Sequence, residues 1–112
     1  MDIDPDALRE AQKNAERNGV ERRLRFHASG PEGLHETFPL LLANLLASSH
    51  AAFAPHYRRL VAAGGTLILG GLLSDEESAV MSALASHGFV PLNRVELDGW
   101  LSLQLTAGKT AL

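Results

Sequence analysis

The chain has 112 residues, a length typical of one small domain, and 46% of them are apolar, which argues against disorder. Ten basic and thirteen acidic side chains give a formal charge of −3, so no nucleic-acid partner is expected. The lack of cysteine excludes disulfides and thiolate metal sites. With no membrane-spanning apolar run and no basic leader, we expect a soluble cytoplasmic protein of one domain, residues 1–112, without a membrane partner.

The first third of the chain is predicted to form a helix and then a short strand. Asp4 is suited to cap a helix and Pro5 to occupy its first position. Apolar residues recur at helical spacing until Asn18 and Gly19, which tolerate the left-handed conformation that ends many helices. The apolar pattern of residues 24–26 predicts a strand, and a glycine-containing loop follows it.

The middle of the chain predicts two strands on either side of a helix. Residues 40–43 form a continuous apolar run that stops at Asn44, a pattern typical of a strand buried on both faces of a parallel sheet. A helix is predicted over residues 49–62. A pair of glycines then turns the chain into a second apolar strand, residues 66–69.

The last third predicts a helix followed by a hairpin. Ser74 precedes three carboxylates, as expected of a residue that caps a helix. Residues 89–97 and 100–105 read as strands, joined through Asp98 and Gly99, a pair typical of tight hairpin turns. Helices and strands therefore alternate, which predicts an α/β fold with a parallel sheet closed by one antiparallel hairpin.

Two polar residues lie at predicted strand ends, where ligands of open α/β sheets bind. Asp2, next to the first helix, offers a carboxylate that can accept hydrogen bonds from both hydroxyls of a ribose, or it serves with Asp4 to cap the helix. Asn44 offers an amide that can bind an amine or a ligand, or it bonds its own turn. The residues alone leave both alternatives open.

The histidines do not predict a metal site. His50 and His56 are six residues apart on a predicted helix, which does not place them on one face, and the sequence offers no evident third ligand. We therefore expect them at the surface or at a helix end, and no metal is predicted.

Four segments stand in order along nearly the whole chain: residues 2–5 with 14–20, residues 41–47, residues 60–73, and the pair Gly99 and Trp100. Together they resemble the class I methyltransferases that use S-adenosylmethionine, and within them the bacterial family that methylates large-subunit ribosomal protein eleven. The segment from Asp2 through the first helix is similar to the second strand and helix of that family. The remaining segments are similar to its fourth strand, its fifth strand and its last hairpin.

The resemblance implies a Rossmann-like sheet with helices on both faces, S-adenosylmethionine as cofactor, and methylation of protein amines such as lysines of a ribosomal protein. It assigns Asp2, Ile3 and Ser29 to cofactor binding, Asn44 to both cofactor and target amine, and Leu45 beside it to catalysis. The family's first strand and glycine loop would precede Asp2. We therefore expect a partial, truncated methyltransferase domain that binds the cofactor weakly and does not turn over.

Two other functions stay open. A fragment of an oxidoreductase would hold NAD through the same carboxylate of Asp2. A relic or interaction domain would keep only the fold. Because apolar strands with open edges template association, we also expect possible self-association through the sheet edges.

Overall fold

The computed structural model describes residues 1–108, and these fall into two units, Met1–Leu34 and the chain from His35 onward. The last four residues of the predicted domain, 109–112, lie outside the described part. No helix within residues 1–108 has the length and apolar character needed to cross a membrane.

The first unit is built on helix α1, Pro5–Arg17. The Asp4 side chain accepts a hydrogen bond from the backbone N–H of Asp6, so the predicted cap is confirmed. Asn18 ends the helix and Gly19 follows with a positive φ of 67°. The predicted helix start and stop are therefore both confirmed.

The strand predicted at residues 24–26 is wrong. Leu24 has extended backbone angles, but the described chain forms no ladder there. A backbone hydrogen bond from the Asp2 N–H to the His27 carbonyl oxygen (3.1 Å) joins the start of this unit to the residue after this segment. A strand requires a continuous row of such bonds, and an extended conformation alone does not provide it.

The second unit is an α/β arrangement of four strands and two helices. A short 3₁₀ turn, Ser74–Glu76, leads into the second of these helices. In chain order the elements are β1 Phe38–Asn44, α2 Ala47–Leu60, β2 Val61–Leu73, α3 Glu77–Ala85, β3 Phe89–Leu97 and β4 Trp100–Ala107.

The sheet has the strand order β1-β2-β4-β3. β1 is parallel to β2, whereas β4 is antiparallel to both β2 and β3. The hairpin turn has positive φ at both central residues, 53° at Asp98 and 82° at Gly99, as a type I′ turn requires. The predicted parallel pair and closing hairpin are therefore confirmed.

The core of this unit lies between the helices and one face of the sheet. Apolar residues of both helices and three strands form one buried cluster, which includes Ala54, Val80, Leu69 and Leu103. Because α2 and α3 also contact each other, both lie on the same face. The resemblance implies helices on both faces, and within this unit alone they cover one.

The prediction that β1 is buried on both faces is wrong for this unit. Leu41 and Ala43 pack against the buried cluster, but Leu40 and Leu42 point the other way and are 51% and 66% exposed. β1 is an edge strand of the four-stranded sheet, and the side chains of successive residues alternate between its faces. An apolar run therefore does not by itself indicate burial on both faces.

Two details of β2 and α3 also differ from prediction. The predicted glycine turn lies inside β2, where Phe38 pairs with Val61 but Leu40 pairs with Thr66, so extra residues bulge out between these pairs. Ser74 does not cap the helix, because its hydroxyl points to the hairpin, 3.1 Å from the Gly99 carbonyl oxygen. Instead, the Glu76 carboxylate accepts a hydrogen bond from the backbone N–H of Leu73 at this helix start.

The open face of β1 can be tested with a pair of matched leucine substitutions. Leu69→Ala removes a fully buried side chain and should lower the free energy of unfolding by about 2–5 kcal/mol. Leu42→Ala, on the exposed face of the neighbouring strand, should change it by no more than about 0.5 kcal/mol. Urea unfolding measures both values. Similar losses for the two variants would show that this face is covered in solution.

Candidate functional site

The carboxyl end of β1 is the centre of the candidate site. Asn44 is the last residue of the strand and pairs with Gly70 of β2, and its side chain is exposed. The backbone N–H of Leu45 donates to the Gly70 carbonyl oxygen at 3.3 Å, which continues the pairing one residue past the strand. The two residues predicted to be catalytic therefore lie at the strand end, as expected of a ligand site in an open α/β sheet.

A β-bulge in β2 lies directly beside Asn44. Leu69 pairs with Leu103 and Leu72 with Leu101, so Gly70 and Gly71 together oppose one residue of β4. Gly71 has a φ of +79°, and a Cβ built there would lie 2.5 Å from the Leu45 carbonyl oxygen and 2.9 Å from Asn44 Oδ1. Only glycine permits both this backbone conformation and this close approach.

A buried histidine supports the bulge from the helix side. His50, in the first turn of α2, has no exposed surface, and its Nε2 lies 2.8 Å from the Gly70 carbonyl oxygen. Its Nδ1 lies 2.9 Å from the Tyr57 hydroxyl oxygen. A carbonyl oxygen only accepts hydrogen bonds, so Nε2 carries the hydrogen of the neutral ring and the Tyr57 O–H donates to Nδ1. Both ring nitrogens are thereby satisfied.

Burial controls the charge of this pair. Desolvation lowers the pKa of His50, and the Gly70 and Leu45 carbonyl groups, which favour the protonated ring, offset this only in part. Desolvation also raises the pKa of the Tyr57 hydroxyl. Both groups are therefore neutral near pH 7.

Asp2 lies in the first unit, at the entrance to α1. Its Oδ1 accepts a hydrogen bond from the backbone N–H of Asp4 at 2.9 Å, while Asp4 in turn caps the helix. The Asp2 side chain is exposed, and a carboxylate accepts several hydrogen bonds at once. Asp2 thus takes part in the turn before the helix and keeps capacity for further donors.

The other predicted contacts have mixed surroundings. Ile3 is 77% exposed, and Ser29 is half-buried in the loop before the short turn Pro31–Gly33. The Ser29 hydroxyl lies where a side chain at Gly33 would start, 2.5 Å from a Cβ built there. Nothing in these contacts tests the role of either residue in cofactor binding, which stays a prediction.

The second unit brings Asn44 and Leu45 together with two features that the sequence analysis did not assign. One is the bulge at Gly70 and Gly71, and the other is His50. His50 lies at a helix end, one of the two predicted locations, but it is buried there instead of exposed. The sequence did offer one indication that His50 lies near the site. It follows the strand-end residue Asn44 by six positions, in the first turn of the next helix. Residues 1–108 contain no group of three side chains placed to bind a metal ion.

The buried neutral state of His50 predicts a pH-dependent stability. Its folded-state pKa lies below the ordinary 6.5, so as pH falls below 6.5 the unfolded chain takes up a proton that folded His50 does not. The free energy of unfolding should be highest above pH 6.5 and fall below it by up to about 1.4 kcal/mol per pH unit. Urea unfolding at pH 7.5 and 5.5 measures this difference.

The variant His50→Gln should lose most of that pH dependence, whereas His35→Gln, at an exposed position, should keep it. Equal pH dependence in the parent chain and in His50→Gln would contradict the buried neutral assignment.

Comparison with known proteins places this geometry in a family. The family model described as ribosomal protein L11 methyltransferase (PrmA) matches residues 1–108. The ribosomal protein L11 methyltransferase of Thermus thermophilus is 42% identical over 106 residues, which cover 92% of this chain and 41% of that protein. That of Sinorhizobium fredii is 36% identical, over 94% of this chain and 38% of that protein. The chain thus spans about two fifths of the length of these relatives.

Solved structures share the fold at low sequence identity. A ribosomal protein L11 methylase from Lactobacillus delbrueckii subsp. bulgaricus has a TM-score of 0.90 at 20% identity, over 95% of this chain and 55% of that one. An RNA methyltransferase from Salinibacter ruber, in complex with S-adenosyl-L-homocysteine, has a TM-score of 0.73 at 20% identity, over 98% and 65%. The predicted Rossmann-like methyltransferase fold is therefore confirmed. Since the family model matches nearly the whole length of this chain, the chain belongs to the ribosomal protein L11 methyltransferase family.

Proposed function

We propose that the chain forms the part of an S-adenosylmethionine-dependent protein methyltransferase that holds the cofactor ribose and orients the target amine. The observation that carries this proposal is the strand-end geometry. The Asn44 carboxamide stands at the carboxyl end of β1, beside two residues of β2 that have no side chains. Ligands of open α/β sheets bind at such ends.

The glycine bulge fits a ligand at this position. A Cβ at Gly70 would lie 3.1 Å from Asn44 Oδ1, and one at Gly71 would lie 2.9 Å from it. Larger residues would therefore crowd the carboxamide that a ligand has to reach. The absence of side chains keeps the backbone and the Asn44 amide accessible together.

The carboxylate of Asp2 suits the ribose of the cofactor. Its hydrogen bond from the Asp4 N–H fixes one oxygen, and the remaining lone pairs can accept the two ribose hydroxyls. Exposed Ile3 next to it offers apolar surface, and Ser29 a hydroxyl, for the rest of the nucleoside. These three residues are the proposed cofactor contacts in the first unit.

Asn44 is the proposed catalytic residue, with Leu45 beside it. When bound, the cofactor would supply a methyl group on a sulfonium sulfur: an amine nitrogen would bond to the methyl carbon as the bond from that carbon to sulfur breaks, and the neutral thioether would leave. Asn44 Oδ1 can accept an N–H of that amine and thereby aim its lone pair, so its contribution is orientation. The Leu45 main chain, bonded to Gly70, fixes the position of the strand end that carries the amide.

The proposed acceptor is an amine of a ribosomal protein, after the name that the relatives share. The formal charge of −3 suits a protein acceptor better than bare nucleic acid. A cytoplasmic location goes with such an acceptor. Self-association through the open edge of β1 also stays a prediction, since β1 has a neighbour on one side within the described sheet.

The function can be tested through cofactor binding by the chain itself. Titration calorimetry with S-adenosyl-L-homocysteine should show binding that Asp2→Asn weakens about ten- to hundredfold, because a hydrogen bond to a charged group contributes roughly 1.5–3 kcal/mol. The substituted amide still accepts from the Asp4 N–H, so the turn is preserved. Asp75→Asn is the matched control, because Asp75 is an exposed aspartate just before helix α3. This variant should bind the ligand as the parent chain does.

The same titration separates the alternatives. Asp2-dependent binding of NAD in place of the nucleoside thioether would favour an oxidoreductase fragment. Binding of neither ligand would favour a relic or interaction domain and would overturn the proposal.

A further inference from the structure

A single carbonyl group joins three segments of the second unit. The Gly70 carbonyl oxygen accepts the Leu45 N–H at 3.3 Å and lies 2.8 Å from His50 Nε2. The first donor belongs to the loop after β1, and the second to the first turn of α2. Because a carbonyl oxygen has two lone pairs, both bonds can form at once. Gly70 is therefore the point where strand end, loop and helix meet.

The bulge loosens the segment of β2 that carries this carbonyl. Between Leu69 and Leu72 the pairing with β4 is interrupted, and the extra residue of a bulge is left without a ladder partner. The main chain there has less to hold it than in a regular strand. The Gly70 carbonyl faces β1, where it accepts the Leu45 N–H, and the His50 donor adds a second constraint to the same atom.

Any movement of the bulge would reach the Asn44 amide. A Cβ placed on Gly71 would lie within 3 Å of both the Leu45 carbonyl oxygen and Asn44 Oδ1, so these groups already pack against the glycine backbone. A close-packed contact of this kind transmits displacement instead of absorbing it. The position of Gly70 and Gly71 therefore limits where the Asn44 carboxamide can lie.

The chemistry of His50 is not explained by core packing. An apolar side chain of similar size would fill the same space without losing hydration, whereas a buried imidazole has to recover two hydrogen bonds. His50 recovers one from Tyr57 of its own helix and the other from the bulge. The second bond is the one that reaches the candidate site.

We propose that His50 is a positioning residue of the strand-end site: its Nε2–H holds the Gly70 carbonyl and, through the bulge, fixes the Leu45 main chain and the Asn44 carboxamide. It does not touch the reacting groups. The inference deepens the proposed function and rests on it, since the carboxamide that His50 fixes is the proposed catalytic group.

Amide hydrogen exchange followed by NMR tests the positioning directly. The Leu45 N–H, bonded to the Gly70 carbonyl, is the reporter, and the amide of Leu69 serves as the core reference. His50→Leu should lower the protection of the Leu45 amide about tenfold relative to that reference, and the side-chain amide signals of Asn44 should shift and broaden. His50→Gln, whose amide nitrogen can replace Nε2 as donor, should restore both.

Tyr57→Phe is the control for a purely structural role. It removes the bond to Nδ1 but leaves the bond to Gly70, so it should lower the stability of the whole unit without changing the ratio of Leu45 to Leu69 protection. Equal loss of protection at both amides in His50→Leu, or no rescue by His50→Gln, would overturn the proposal. If His50→Leu fails to fold, the imidazole ¹⁵N spectrum of the parent chain provides the test, because it shows which ring nitrogen of His50 carries the hydrogen. A hydrogen on Nδ1 instead of Nε2 would also overturn it.

The exchange result is independent of ligand binding. If S-adenosyl-L-homocysteine binds, His50→Leu should weaken that binding and His50→Gln should restore it. If the parent chain binds no ligand, the proposed function fails. The exchange data would then still show whether His50 holds the Asn44 amide.

Discussion

The hydrogen bonds at the Gly70 carbonyl hold together most of what distinguishes this molecule from a plain four-stranded sheet. They tie the end of β1, the bulge of β2 and the first turn of α2 to one atom. The bulge in turn requires glycine, because the Leu45 carbonyl oxygen approaches too closely for any side chain at Gly71. Sheet topology and the local geometry of the site are thus linked through one short segment of β2. A ligand that binds at the carboxyl edge of the sheet meets this segment first.

Helices α2 and α3 cover one face of the sheet and support the bulge at Gly70 and Gly71 from that side, while the opposite face stays open. α2 and α3 pack on one face, and the buried cluster there is continuous from β2 to β4. On the other face Leu40 and Leu42 remain exposed. The Thermus thermophilus relative is a little more than twice as long as this chain, since 92% of the chain covers 41% of that protein. The helix-covered side is the one from which His50 reaches the bulge beside Asn44.

Patterns with a local physical cause could be predicted from the sequence. The cap at Asp4 and the type I′ turn at Asp98 and Gly99 depend on neighbouring residues only. The position of Asn44 followed from the end of an apolar run. The predictions failed where the structure of a segment depends on residues far away in the sequence. The buried position of His50 depends on the carbonyl group of Gly70, twenty residues further along the chain. The segment 24–26 has an apolar pattern but no strand to pair with, and its own sequence does not show whether such a partner exists. The bulge depends on register with β4, which no local pattern encodes.

The central claim is that the carboxyl end of β1, with its bulge, faces the cofactor. An NMR titration of the isotopically labelled chain with S-adenosyl-L-homocysteine tests it most directly. The largest shifts should occur at the Asn44 side-chain amide and at the backbone amides of Leu45 and Gly71. Shifts confined to the surface groove between α3 and β3, where Glu77 and Arg94 form an ion pair, would contradict it.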